Sequence, residues 1–162
     1  MFHYKHEPKG YVCPFCMLVK GIKDPDNKTI QSKQRDIVYQ DDDVTALIAS
    51  LWWPNNKGHI IIIPNKHYEN IFDLPMEVAT KIHQLAQKLS FALKECYECD
   101  GISTRQHNEP GGGQDVWHYH LHVYPRYAND NFYRTSGELS SPEEREGFAE
   151  KLRNWLEENQ KA

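Results

Sequence analysis

His118-Tyr119-His120-Leu121-His122-Val123-Tyr124 places three imidazoles at every second position of an otherwise apolar run. Side chains alternate between faces along a strand, so this spacing predicts a strand over residues 116–124 with His118, His120 and His122 on one face and Tyr119, Leu121 and Val123 on the other. Rings this close are costly to bury unless each meets a hydrogen-bond partner, a metal or an anion, and like charges disfavour full protonation. Solvent-facing strand positions usually carry Thr, Lys or Glu instead. The row therefore reads as a functional site.

Upstream, residues 35–39 and 44–48 read as two short strands joined by the turn Gln40-Asp41-Asp42-Asp43. After the breaker-rich loop Trp52-Trp53-Pro54-Asn55-Asn56-Lys57-Gly58, residues 59–63 form a continuous apolar strand that Pro64 ends, and this is the expected centre of the sheet. Asp73 can cap a helix that Pro75 opens, and Val78, Ile82, Leu85, Leu89, Ala92 and Cys96 recur at steps of four and three along it. Residues 101–107 and 116–124 then give two more strands, joined by Asn108-Glu109-Pro110-Gly111-Gly112-Gly113-Gln114. Ser141-Pro142-Glu143-Glu144 combines a capping box with proline at the first helical position, and Phe148, Leu152, Trp155 and Leu156 supply the stripe of a terminal helix. The expected fold is α+β: an antiparallel sheet of about five strands, one long central helix and a C-terminal helix. A length of 162 residues suits a single domain, with residues 1–10 ragged and residues 129–162 serving as a surface connection and the last helix.

The net charge of −4 and the absence of any Lys/Arg run argue against nucleic acid as a partner, while leaving small anionic ligands open. The N-terminal stretch lacks an apolar signal region and Ile60-Ile61-Ile62-Ile63 is too short to span a bilayer, so a cytoplasmic protein without membrane attachment is expected. The four cysteines form two C-x-x-C units, which in that compartment are reduced or metal-bound rather than paired. Cys13-Pro14-Phe15-Cys16 has the gap that lets both thiolates hold one zinc, with two further ligands drawn from elsewhere. Cys96 and Cys99 read as small buried residues, and His3, His6 and His83 are assigned no role. His107, beside Asn108, reads as part of the surroundings of the site.

The segment from Gly113 to Arg126 resembles the signature of the histidine triad (HIT) superfamily, His-φ-His-φ-His-φ-φ. Gly58-His59-Ile60-Ile61-Ile62-Ile63-Pro64-Asn65-Lys66-His67 is similar to that family's strand leading into Pro-x-x-His, and the likeness runs from about residue 13 to residue 127. The resemblance implies a HIT-like fold and a nucleotidyl hydrolase or transferase, of the nucleoside phosphoramidase or dinucleoside polyphosphate hydrolase kind, acting as a homodimer whose sheets join. It implies His120 as the nucleophile that takes the α-phosphate, flanked by His122 and His59. Asn108, Gln114, Gly112 and Gly113 would supply donors to the substrate, and Trp52, Trp53 and Phe15 flat surfaces for a base. In zinc-bearing branches the ligands resemble Cys13, Cys16, His67 and His118, a closed structural site with one zinc per chain.

Two positions depart from the better-known members. Asp115 stands where Ser or Thr often donates to the leaving group; a carboxylate there can accept or carry a proton but repels a polyphosphate. Leu51 stands where an acidic or amide side chain often grips the ribose. Two other readings follow: a hydrolase in which His118, His120 and His122 bind a catalytic zinc, and a nucleotide-binding adaptor with slow or vestigial catalysis.

Overall fold

The structure, a computed structural model, describes residues 4–24 and 31–159. In chain order these form helix α1 (Pro14–Val19), strands β1 (Ile37–Gln40), β2 (Val44–Ile48), β3 (Leu51–Trp52) and β4 (Ile60–Pro64), helix α2 (Met76–Tyr97), strands β5 (Gly101–Gln106), β6 (Leu121–Arg126) and β7 (Glu138–Leu139), and helix α3 (Pro142–Glu158). Positions 1–3 of the N-terminal segment, His3 included, and positions 25–30 of the polar stretch 21–33 lie outside the described residues.

The four isoleucines of β4 do occupy the middle of the sheet, whose order is β1-β2-β4-β6-β5 with antiparallel neighbours throughout. Every residue of β4 is buried because both faces of the sheet are covered. Ile60 and Ile62 join the core under α2 and α3, whereas Ile61 and Ile63 pack with Phe15 and Leu18 of α1. The α2 stripe is the predicted one: Ile82, Leu85, Leu89 and Ala92 are buried, with Val78 and Cys96 at its margins. The capping box of α3 is formed as read, Glu144 N–H donating to Ser141 Oγ and Ser141 N–H to the Glu144 carboxylate.

Several details differ from expectation. Asp73 does not cap α2: its carboxylate accepts from the N–H groups of Glu69 and Asn70, and Pro75 occupies the cap position, its carbonyl receiving Val78 and Ala79. A proline at that place has no N–H for an aspartate to receive. Residues 34–36 form a 3-10 turn ahead of β1 because the Asp36 carboxylate accepts from Lys33 N–H at 2.6 Å. Residues 4–10 are tied down rather than ragged: Lys5 N–H donates to the Glu109 carboxylate at 2.6 Å and His6 Nδ1 lies 3.2 Å from Glu69 Oε2.

The connection 129–140 carries structure of its own. Phe132 is buried, and β7 pairs with β3 as a separate two-stranded sheet. Arg145, on α3, is fully buried; it donates to the Asp36 carboxylate at 2.9 Å and to the carbonyls of Ser140 and Gln31. That ion pair fastens the last helix to the segment 31–36, so α3 packs on its own chain, against α2 and β1.

Gly58, immediately before His59, has φ +74, and a Cβ there would stand 2.3 Å from the ring of Phe148. Phe148 packs edge-on against Trp52 and Tyr97, so its ring gives way only at the expense of those contacts. A Gly58→Ala variant is therefore expected to lose about 2–3 kcal/mol from backbone strain and overpacking together, read as a lowered denaturant midpoint with unchanged m-value. An unchanged midpoint would mean that the ring gives way freely.

Candidate active site and metal centre

The ladder of β6 begins at Leu121, five residues later than the histidine spacing suggested. Pro64 has no N–H with which to extend the pairing, and Tyr119 N–H is drawn instead to the carbonyl of Tyr68 at 2.6 Å. The alternation of side chains survives the loss of the ladder. Tyr119, Leu121 and Val123 enter the helix-side core, while His120 and His122 line a cavity of about 280 Å³ on the other face, together with His59. Phe15, Leu18 and Ile61 form its apolar wall, and Asp115, His107 and Gly113 stand along its loop side.

His120 is held by its own neighbourhood. Its Nδ1 lies 2.7 Å from the carbonyl oxygen of His118, which can only accept, so Nδ1 carries the proton and Nε2 keeps its lone pair. Phe15 meets the ring edge-on, with centroids 5.5 Å apart. The nearest ionic group is Asp115, with one carboxylate oxygen 3.8 Å from Nε2 and its side chain 82% exposed. His122 Nδ1 and His59 Nε2 stand 3.3 Å apart and share one proton. His59 Nδ1 is buried without a partner. A bare nitrogen there costs less than an orphaned N–H, so His59 Nε2–H donates inward and the second ring nitrogen of His122 carries a proton. Tyr124 stacks on both rings.

Burial keeps these imidazoles uncharged. It pushes His59 down from 6.5 to about 3, aided by the charge of Arg105. His122 falls well below its ordinary value through burial and then its histidine neighbours, and His120 falls through burial despite the bond to His118. Unfolded histidines near pH 6.5 therefore take up protons that the folded ones refuse, and stability should be full above about pH 6.5 and fall as the pH drops toward the folded value near 3. Melting scans between pH 8 and pH 4 measure this slope. His59→Asn, which cannot titrate, is expected to flatten it; an unchanged slope would remove His59 from the account.

His118 serves a different centre. Its Nε2–H donates to the Pro64 carbonyl at 2.9 Å, which frees Nδ1 toward Cys13 Sγ at 3.3 Å and Cys16 Sγ at 3.6 Å. His67 Nδ1 lies 3.3 Å from Cys16 Sγ, and its Nε2 is 3.1 Å from the Glu7 carboxylate, though without the alignment of a hydrogen bond. The four ligand atoms of Cys13, Cys16, His67 and His118 lie within 4.8 Å of one another. Two thiols and two imidazoles, each ring directed from behind by an oxygen, fit a tetrahedral zinc. Burial pushes the Cys13 thiol up to about 12, so ionisation there calls for a cation among these ligands. Among the described residues this is the cluster of metal-ligating groups, and it takes only His118 from the triplet. The three imidazoles therefore do not converge on one metal, which counts against the reading of a catalytic zinc held by all three.

The predicted substrate groups divide. Gly113 lines the cavity, but Asn108 and Gln114 do not. Asn108 Oδ1 accepts from Ile71 N–H, while Gln114 Oε1 accepts from Glu109 N–H and its amide donates to the carbonyls of Glu69 and Val116. Both amides fasten the glycine loop. Gly112 turns its carbonyl to His107 Nδ1 at 2.7 Å. Trp52 requires correction: it is buried against Phe148 on the helix side, and its neighbour Trp53 lines the cavity, because successive strand residues face opposite ways. Leu51 also lines the cavity, on the strand paired with β7. Arg105, which no sequence motif marks, stands opposite His122 across β5 and β6, with its guanidinium 4.5 Å from the Phe132 ring centroid and 5.9 Å from that of Trp53.

Residues 31–129 match the HIT domain family. Protein hit of Bacillus subtilis is 29% identical over 144 residues, which is 86% of this chain and 91% of that protein. The bis(5'-adenosyl)-triphosphatase of Dictyostelium discoideum is 31% identical over 110 residues, 63% of this chain and 74% of the enzyme. A zinc-bound histidine triad family protein from Mycobacterium smegmatis, solved by crystallography, superposes with a TM-score of 0.73 at 25% identity, across 92% of this chain and 96% of that one.

Proposed function

We propose that this chain, which belongs to the HIT domain family, hydrolyses or transfers nucleotidyl groups by displacement at an α-phosphorus, with His120 as the nucleophile. The observation that carries the reading is the His120 ring, buried, uncharged, fixed in one tautomer by the His118 carbonyl and turned into the cavity. A neutral imidazole so held attacks with its Nε2 lone pair. The bond from Nε2 to phosphorus forms as the bond to the leaving group breaks, and the charge that the ring acquires is shared with the carbonyl behind Nδ1. Water or another acceptor then displaces the histidine. The second ring nitrogen of His122 would donate to a phosphoryl oxygen, with His59 holding that ring from behind, a donor so placed being worth about 3 kcal/mol to the transition state.

A base or other flat group would lie between Phe15, Leu18 and Ile61, with Trp53 opposite. The name of the Dictyostelium relative supports a nucleotide substrate. Asp115, at the edge of the cavity and 3.8 Å from His120 Nε2, would place a carboxylate beside the reacting centre and so disfavour polyphosphate substrates. Gly113 allows close approach of the backbone. The Cys13, Cys16, His67 and His118 cluster would hold a zinc, one per chain, whose chemistry is structural: a closed set of four protein ligands leaves no position for water. Among the described residues no helix is long and apolar enough to cross a membrane; a cytoplasmic homodimer is the assembly that we infer, with β1 and β5 as the free edges of the five-stranded sheet.

Incubation with labelled adenosine phosphoramidate tests the reading. An acid-labile, base-stable adduct is expected on the parent protein and none on His120→Ala. Absence of the adduct from the parent, under conditions of turnover, would sink it.

A further inference from the structure

Each half of a double displacement at phosphorus moves one proton, and the buried imidazoles are poorly placed to move it. His120 commits its free nitrogen to phosphorus, and His59 is 1% exposed. We propose that His107 is the proton carrier of the reaction, giving a proton to the leaving group in the first step and taking one from water in the second; this rests on the phosphohistidine reading.

His107 directly follows β5 and lines the same cavity as His120 and His122, but on its open side, where it is half-buried. Its ring meets that of His122 edge-on with centroids 6.1 Å apart. The Gly112 carbonyl, 2.7 Å from Nδ1, can only accept, so Nδ1 keeps its proton and Nε2 is the nitrogen that exchanges. Gly113 makes the seat. It has φ +86, and even a Cβ there would stand 3.3 Å from His107 Nδ1, so the loop's last glycine lets the ring lie against the backbone. Asp115 is the rival carrier. One of its oxygens lies 3.8 Å from His120 Nε2, on the side from which the nucleophile attacks, whereas an in-line leaving group departs on the opposite side.

The steps balance. In the first, the His120 Nε2 lone pair forms the bond to phosphorus, the bond from phosphorus to the leaving atom breaks, and that atom takes its proton from His107 Nε2–H. In the second, water attacks phosphorus, its proton passes to His107 Nε2, and the electron pair of the breaking bond returns to His120. His107 ends as it began.

Two substrates separate the outcomes: an alkylamide of adenosine 5'-phosphate, which cannot leave without a proton, and the nitrophenyl ester, which can. With His107→Gln and His107→Ala, kcat/KM for the alkylamide is expected to fall about 100-fold or more. With the ester, the initial burst of nitrophenol should keep its rate while steady turnover slows and the adduct on His120 accumulates. Added imidazole should restore part of the steady rate. Equal losses on the alkylamide and in the ester burst would reduce His107 to a prop for the loop, and no loss on either would pass the proton to another group; both overturn the proposal. If the parent protein gives neither burst nor adduct, the nucleophile reading fails first and takes this role with it.

Discussion

A His120→Ala variant is expected to fold and bind nucleotide as the parent does while turning over at least about 10⁴-fold more slowly. On the proposed mechanism the loss is that of a nucleophile, since the donor of His122, the His59 ring behind it and the apolar wall of Phe15, Leu18 and Ile61 remain to bind and polarise the substrate. Residual acceleration by those groups alone keeps the variant above the uncatalysed rate. Single-turnover assays with adenosine phosphoramidate, alongside equilibrium binding of adenosine monophosphate, separate the two effects. Activity within about tenfold of the parent would eliminate the covalent mechanism. Tight binding by the parent without adduct or turnover would instead establish the adaptor reading, for which the carboxylate at Asp115 and the aliphatic Leu51 are the features in favour.

Removing the metal should act on the fold before the chemistry. Replacing Cys13 and Cys16 together by Ser, or prolonged chelation, is expected to abolish zinc binding at the proposed site and lower the melting temperature by more than about 15 °C, since structural zinc sites contribute many kcal/mol of folding free energy. Without the metal, α1 loses its attachment to the histidine segment, and Phe15 and Leu18 leave Ile61 and Ile63 uncovered. Metal analysis and calorimetry read the stability; a parallel assay in the cold reads turnover. Turnover should persist at temperatures where the stripped protein is still folded. Prompt loss in the cold, with folding intact, would mean that the metal takes part in the reaction.

Much of this arrangement was legible in the residues because it is periodic. Four isoleucines ended by Pro64, the stripe on α2 and the alternation through His122 each repeat at the spacing of one element, and the structure follows them. Less was legible where geometry depends on partners far along the chain. The early end of the β6 ladder comes from Pro64 and Tyr68, which no local pattern around His118 reveals. Two-residue strands such as β3 have no period, so nothing in Trp52-Trp53 says which indole faces the cavity. The amides of Asn108 and Gln114 look like ligands in sequence, yet a loop containing three glycines needs fastening, and both are used for it. The pair of Asp36 and Arg145 joins residues 109 positions apart, beyond the reach of spacing arguments.

His118 works through two unlike parts of itself. Its ring reaches Cys13 in the group of candidate metal ligands, while its peptide carbonyl, 2.7 Å from His120 Nδ1, aims the ring proposed to react. A carbonyl is common to all amino acids. The metal half of the residue is therefore replaceable and the aiming half is not, so a descendant could exchange both cysteines and both ligand imidazoles for a packed apolar plug and still present an oriented imidazole to phosphorus. Under the proposed function, metal dependence and phosphorus chemistry are thus separable inheritances carried on one residue.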